Sequence, residues 1–196
     1  VPANFQPWTD SFVLSEWHLT FGQYIWHPQP MLSDIEFDNN GDMILSFADR
    51  GGYQMGVNNF SPNSDDTALY RVMSGGELLR AAKTSGTVWV LESNGTTAHA
   101  GGCGAYNTSS SGTASYNGKG IGGGEYYCGD NYYSANVAEL NKHSELSAGG
   151  LALLPGAADV VATFEDPASV IFTGGPRWLN NLSGIASRGT SVNVDF

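Results

Sequence analysis

Apolar and polar residues alternate along residues 34–38 and again along 43–49, and the four residues between them, Asn39-Asn40-Gly41-Asp42, are strong turn formers. A period of two on both sides of such a turn predicts a β-hairpin. The layout returns at 77–83 and 87–92 around Thr84-Ser85-Gly86, and at 151–154 and 160–165 around residues 155–159. Three hairpins of one design, spaced by roughly 40 to 75 residues, predict an all-β chain built as a propeller-like array of antiparallel blades. At roughly 40 to 50 residues per blade, one domain over residues 1–196 holds about four blades. A ring left incomplete at that count needs another chain, because open strand edges recruit strands.

Between the hairpins the pattern is less regular. Residues 1–33 carry Trp8, Trp17 and Trp26 among prolines and read as one or two aromatic strands between loops. Residues 51–66 are too rich in Gly, Asn, Pro and Ser for a strand and read as a long loop. Residues 101–136 are a Gly/Ser/Asn stretch with interspersed tyrosines, and residues 136–146 hold a weak apolar stripe that predicts one short helix. After the third hairpin, Gly174-Gly175-Pro176 reads as a turn, and the final SVNVDF alternates like an edge strand.

Composition narrows the function classes. Hydrophobic residues make up 41% of the chain, enough for a core, whereas charged residues make up only 14%, so its polarity comes from hydroxyls and amides in an extracellular style. Eight basic against nineteen acidic residues give a formal charge of −11, which repels a phosphate backbone and argues against nucleic-acid binding. No apolar run approaches the roughly 18 to 20 residues that span a bilayer, and the opening Val1-Pro2-Ala3 is expected to be a mature or processed start. Cys103 and Cys128 are the two cysteines. One disulfide closing the loop between them is the natural reading, worth about 3 kcal/mol in the chain-entropy account, against two unpaired buried thiols.

The ordered segments HPQPMLSDIEFDNNGDMILSFADRGGYQ, NNFSPNSDDTALYRVMSGGELLRA, GGGEYYCGD and GGLALLPGAADVVATFEDP resemble a region of large secreted bacterial surface proteins. In that family a β-propeller-like region precedes immunoglobulin-like modules of the serine-aspartate-repeat B type or a surface anchor. The resemblance covers most of residues 26–188 and implies an extracellular structural or adhesive protein. Residues 1–196 themselves are not expected to include an immunoglobulin-like module of that kind.

Candidate chemistry is sparse. The carboxylates of Asp34, Glu36, Asp49, Glu125, Asp130, Glu145, Glu165 and Asp166 fall near strand ends, and two on neighbouring blades could face each other at the roughly 5 to 9.5 Å that glycosidases use. Their plainer role is to cap turns or to pair with Arg50, Arg71, Arg80 or Arg177. No nucleophile elbow, His-Glu-x-x-His motif or phosphate loop is present. Asp38, Asn40 and Asp42 could converge on calcium, but Met43 and Asp49 occupy the positions where an EF-hand wants Gly and Glu, so a tight turn is the better reading; Asp65-Asp66, or Glu125 with Asp130, are further calcium candidates. Sequons at Asn59, Asn94, Asn107 and Asn181 could carry glycans in a secreted chain, Asn94 and Asn107 being the best two.

Tyr106, Tyr116, Tyr126, Tyr127, Tyr132 and Tyr133, set among Asn and Gly, suit sugar stacking or protein contacts; tyrosines packed over a core rim are the plainer alternative. The sequence therefore predicts an extracellular structural protein making protein–protein contacts, including self-association into a surface layer or filament. The second expectation is a carbohydrate-binding module or propeller glycosidase.

Overall fold

The computed structural model describes residues 5–8, 18–19, 24–72, 74–104, 121, 124–128, 147–165, 167 and 173–192. In chain order the elements are β1 (His18–Leu19), β2 (Tyr24–Trp26), β3 (Pro30–Phe37), β4 (Met43–Asp49), α1 (Arg50–Met55), β5 (Val57–Phe60), β6 (Leu69–Val72), β7 (Glu77–Ser85), β8 (Val88–Leu91), β9 (Ser147–Ala152), β10 (Asp159–Glu165), β11 (Gly174–Asn180) and β12 (Ala186–Gly189). The protein is all-β, and among the described residues the strands form three four-stranded sheets, none of them closed on itself.

The first sheet has the order β3-β4-β7-β8 and is antiparallel throughout. Its opening hairpin pairs Phe37 with Met43 and Ile35 with Leu45, as the alternation predicts. Gly41 supplies the left-handed φ of 78° that the turn needs. Asp38 caps that turn, its carboxylate accepting the backbone N–H groups of Asn40 at 2.8 Å and Asp42 at 3.0 Å. In the second hairpin, β7-β8, the first strand runs two residues past the expected Lys83, through Thr84 and Ser85, so that Gly86-Thr87 make the turn. These two hairpins are halves of one sheet and not two separate units. β4 pairs with β7 along Met43–Phe47, and residues 50–72 are an excursion between them.

That excursion corrects the loop expected at 51–66. It contains α1, capped by the Asp49 carboxylate, and strand β5, which pairs with β6 and places four residues at the edge of a mixed sheet of order β1-β2-β6-β5. β2 and β6 run parallel, and the other pairs in that sheet run antiparallel.

The second sheet is a plain antiparallel meander, β12-β11-β10-β9. Gly174-Gly175-Pro176 lies inside β11 and is not a turn: Pro176 sits opposite Thr163, and Gly174 is bridged to Val192. The helix expected at 136–146 and the strand expected at 193–196 lie outside the described residues.

The two antiparallel sheets meet across β9. The Asp34 carboxylate accepts the Leu151 N–H at 2.9 Å, the Ser33 hydroxyl donates to the Gly149 carbonyl at 2.9 Å, and the Ser46 and Ser147 hydroxyls share a hydrogen bond of 2.9 Å. The core lies between them. Ile44 and Leu78 point in from the first sheet, Val160, Ala162, Phe164 and Leu179 from the second, and Tyr126 and Tyr127 fill the end of the layer. Burying side chains of this size contributes roughly 1.5–3 kcal/mol each before chain entropy is subtracted.

Candidate contact surface

The inner face of the first sheet ends in a buried charge network. Arg80 on β7 is 1% exposed although it follows the apolar pair Leu78-Leu79. Its Nη2 binds the carboxylate of Asp38 and, at 3.1 Å, that of Asp42. Its Nη1 reaches the Tyr127 hydroxyl at 3.3 Å, and its guanidinium lies 5.3 Å from the centre of the Tyr126 ring. Asp42 also accepts the Lys83 N–H at 2.8 Å and is 2.8 Å from His99 Nδ1.

Burial pushes the Asp42 carboxyl up, but hydrogen bonds from Lys83 and His99 and the charge of Arg80 outweigh it and hold Asp42 below the usual carboxylate range. An ionised carboxylate only accepts, so the His99 Nδ1 that faces it carries the hydrogen. Burial pushes the Tyr126 phenol up to about 12, and it pushes Tyr127 up as well. Both phenols are therefore neutral donors. Tyr126 donates to the Asn181 carbonyl at 2.6 Å, and Tyr127 donates to the Asn181 side chain at 2.9 Å.

Around this network the Gly-rich segments interlock. Cys103 and Cys128 form the disulfide, with Cα atoms 6.0 Å apart. Gly184 lies so close to the Tyr126 carbonyl that a side chain at this position would collide with backbone. Glycine here serves close approach as well as turning.

At the opposite end of β4 sits a second buried carboxylate, Asp49. It accepts backbone N–H groups from Gln29 at 2.9 Å, Gly51 at 2.8 Å and Gly75 at 3.2 Å, tying three chain segments together. Burial outweighs these bonds and pushes Asp49 up to about 6.

The outer face of the first sheet is of another kind. Leu32, Ile35 and Phe37 on β3 and Leu91 on β8 share the side that faces away from the second sheet, as their pairing with Phe47, Leu45, Met43 and Ala81 fixes. They are 50%, 42%, 53% and 45% exposed, respectively. Residues 5–8 cross one end of this face, where the Phe5 and Phe47 rings lie 5.9 Å apart and Trp8 Nε1 donates to the Pro30 carbonyl at 2.7 Å. At the far end Phe37 packs edge-on to Trp89, whose indole N–H donates to the Gly41 carbonyl at 2.8 Å.

The residues singled out in the sequence fall into separate places. Asp34 joins the two sheets, Glu36 is half-buried on β3, Glu125 is buried beside Tyr126, and Glu165 ends β10. Asp130, Glu145 and Asp166 lie outside the described residues. The carboxylates of Asp38 and Asp42, considered for calcium, meet the Arg80 guanidinium instead. Asp66 accepts the Tyr70 hydroxyl at 2.8 Å, while its neighbour Asp65 is exposed.

Among the four sequons, Asn59 and Asn94 are exposed, Asn107 lies outside the described residues, and Asn181 is only 7% exposed. The Asn181 amide oxygen accepts the Tyr127 hydroxyl, so this side chain is turned into the protein interior. Tyr126 and Tyr127 are fully buried and are removed from any sugar-stacking face; Tyr106, Tyr116, Tyr132 and Tyr133 lie outside the described residues.

Sequence reasoning missed His99 as a partner of Asp42 and missed the burial of Arg80; an arginine inside the run ELLRAAK was the available signal. No family model, curated protein or solved structure matches this chain. No helix among the described residues is long and apolar enough to cross a membrane.

Proposed function

We propose that this chain is an extracellular structural or adhesive module that makes protein–protein contacts through the outer face of its first sheet. The observation that carries the reading is Leu32, Ile35 and Phe37 along the edge strand β3, each about half exposed on the side away from the core, with Leu91 half exposed on the other edge strand beyond Leu79 and Ala81, which are buried on that same side. Contiguous exposed apolar surface on a folded protein is a mark of a contact site. A four-stranded antiparallel sheet that leaves apolar side chains exposed along its outer side is also what one blade of a propeller-like array offers to the next. The disulfide, the low density of charge and the resemblance of the sequence to secreted surface proteins support an extracellular setting.

The carbohydrate alternative has less behind it. Two of its six tyrosines are buried, and Asp34 and Asp49 are engaged with backbone N–H groups. The reading is tested by the fraction of chain retained on washed producing cells, comparing wild type with Phe37→Lys. Phe37 is 53% exposed, so the substitution leaves the core intact, which circular dichroism checks. Retention is expected to fall at least tenfold; equal retention overturns the reading.

A further inference from the structure

We infer that the outer face of the second sheet binds an oligosaccharide that carries a carboxylate, as uronic acids do, with Arg188 as the group that receives the charge. The inference goes beyond the first-sheet reading, does not depend on it, and uses none of the tyrosines considered for sugar stacking. Openness is the first argument. Ala152, Val161, Thr163, Trp178 and Arg188 stand on the side away from the core, as their pairing and their alternation with Val160, Ala162 and Leu179 fix. All five are exposed or half-exposed, from β9 across to β12. On the first sheet the corresponding centre is closed, because Glu77, Leu79 and Ala81 are buried there.

The second argument is charge complementarity. Arg188 lies over the Trp178 ring, 4.3 Å from its centre, and among the described residues its guanidinium makes no hydrogen bond or ion pair. Stacking holds the guanidinium plane and leaves its N–H edge open to a bidentate carboxylate. The acids on this side stand at the two ends of β10. Asp159 accepts the Ser187 hydroxyl at 2.7 Å and the Asn180 amide at 3.3 Å, and Glu165 ends the strand. The arginine therefore takes its anion from outside. A chain of formal charge −11 favours the single charge of a carboxylate over a doubly charged phosphate.

The third argument is the surface around the arginine. Ala152 and Thr163 are small, so the sheet beside Trp178 offers a flat shelf on which the C–H face of a sugar ring can lie. At one end, the row of Asp159, Asn180 and Ser187 keeps lone pairs and N–H groups for ring hydroxyls. An acidic peptide laid across this face would find no backbone partner, because the N–H and C=O groups of β10 and β11 are already paired in their own ladder.

Isothermal titration calorimetry on the full chain tests it, with trigalacturonate as the probe, its methyl ester as the neutral counterpart and triglutamate as a peptide carrying the same charges. Trigalacturonate is expected to bind with a dissociation constant on the order of 10⁻⁴–10⁻³ M, and the ester about tenfold or more weakly. In Arg188→Gln the acid is expected to fall to the level of the ester. Arg188 is exposed, so circular dichroism should show the fold unchanged. No binding up to about 10 mM, equal affinity for acid and ester, or an Arg188→Gln chain that binds as wild type does overturns the inference. Triglutamate binding as tightly as trigalacturonate overturns the sugar and gives the arginine to an acidic protein segment. Phe37→Lys is expected to bind trigalacturonate as wild type does, whatever its retention on cells; a loss of binding there would place the sugar on the first sheet and overturn the inference.

Discussion

The two ends of β4 hold two carboxylates that are both fully buried and yet are handled in opposite ways. Asp42, just before the strand, is surrounded by charge: Arg80 binds one oxygen, while His99 and the Lys83 N–H share the other. Asp49, the last residue of the strand, is met by backbone N–H groups from three segments. The first sits below the usual carboxylate range and the second is raised to about 6. Backbone dipoles alone do not offset the cost of burying a carboxylate here, whereas dipoles with a guanidinium do. The Asp42 end joins the two sheets through Tyr127 and Asn181, while the Asp49 end fastens loops.

Removing the guanidinium breaks the comparison most severely. Arg80→Met is nearly volume-conserving but leaves Asp38 and Asp42 beside each other without a counter-charge. Unpairing buried ions costs about 3–5 kcal/mol, and urea unfolding should show a loss of that size. If Asp42→Asn is added to Arg80→Met, part of the loss should return, because the uncompensated charge has gone. A double variant no more stable than Arg80→Met would mean that the methylene packing of Arg80, and not its charge, holds this end.

The Asp49 end answers through pH. Its folded pKa of about 6 lies above the unfolded value near 4, so its protonated form is favoured by folding. The associated stability is fully present below about pH 4 and is lost as pH rises through about 6, a span worth roughly 3 kcal/mol. Asp42 has the opposite sign, its contribution being present at neutral pH and lost as pH falls through its depressed pKa. In Asp49→Asn the amide does not titrate. The stability difference between wild type and Asp49→Asn, measured by urea unfolding, should therefore move toward wild type by about 2–3 kcal/mol from pH 7 to pH 4. A difference that stays flat across that window would place Asp49 near its ordinary pKa and remove the contrast.

The strands at both ends were legible, and the network was not, for one physical reason. Alternation and turn chemistry are local, so DIEFD-NNGD-MILSFAD gave the β3-β4 register directly, with Phe37 opposite Met43. The joining of β4 to β7 depends on contacts more than 30 residues apart, such as Ser46 opposite Leu78, and nothing in either hairpin specifies it. Arg80 therefore read as one of several pairing partners for acids, although it is the residue on which Asp38 and Asp42 converge. Tyr126 and Tyr127 looked like loop tyrosines because their neighbours are small. Those glycines are what lets the backbone approach closely enough to bury the rings.

The smallest expected effect is at His99, and it sharpens the comparison most finely. His99 is 37% exposed, and its Nδ1–H is one of two donors to the same Asp42 oxygen, the other being the Lys83 N–H. In His99→Ala that oxygen keeps the backbone donor, and the second oxygen keeps Arg80. The carboxylate stays compensated, and the loss at neutral pH should be about 1 kcal/mol, the ordinary net worth of a hydrogen bond. The sharper readout is the acid limb. Without the imidazole, Asp42 is depressed less, so its stabilising contribution disappears at a higher pH, and the acid-unfolding midpoint followed by tryptophan fluorescence should move upward. A loss approaching that of Arg80→Met would mean that the charge on Asp42 is balanced chiefly from the half-exposed imidazole, and the Asp42 end would then respond to solvent as directly as any surface pair.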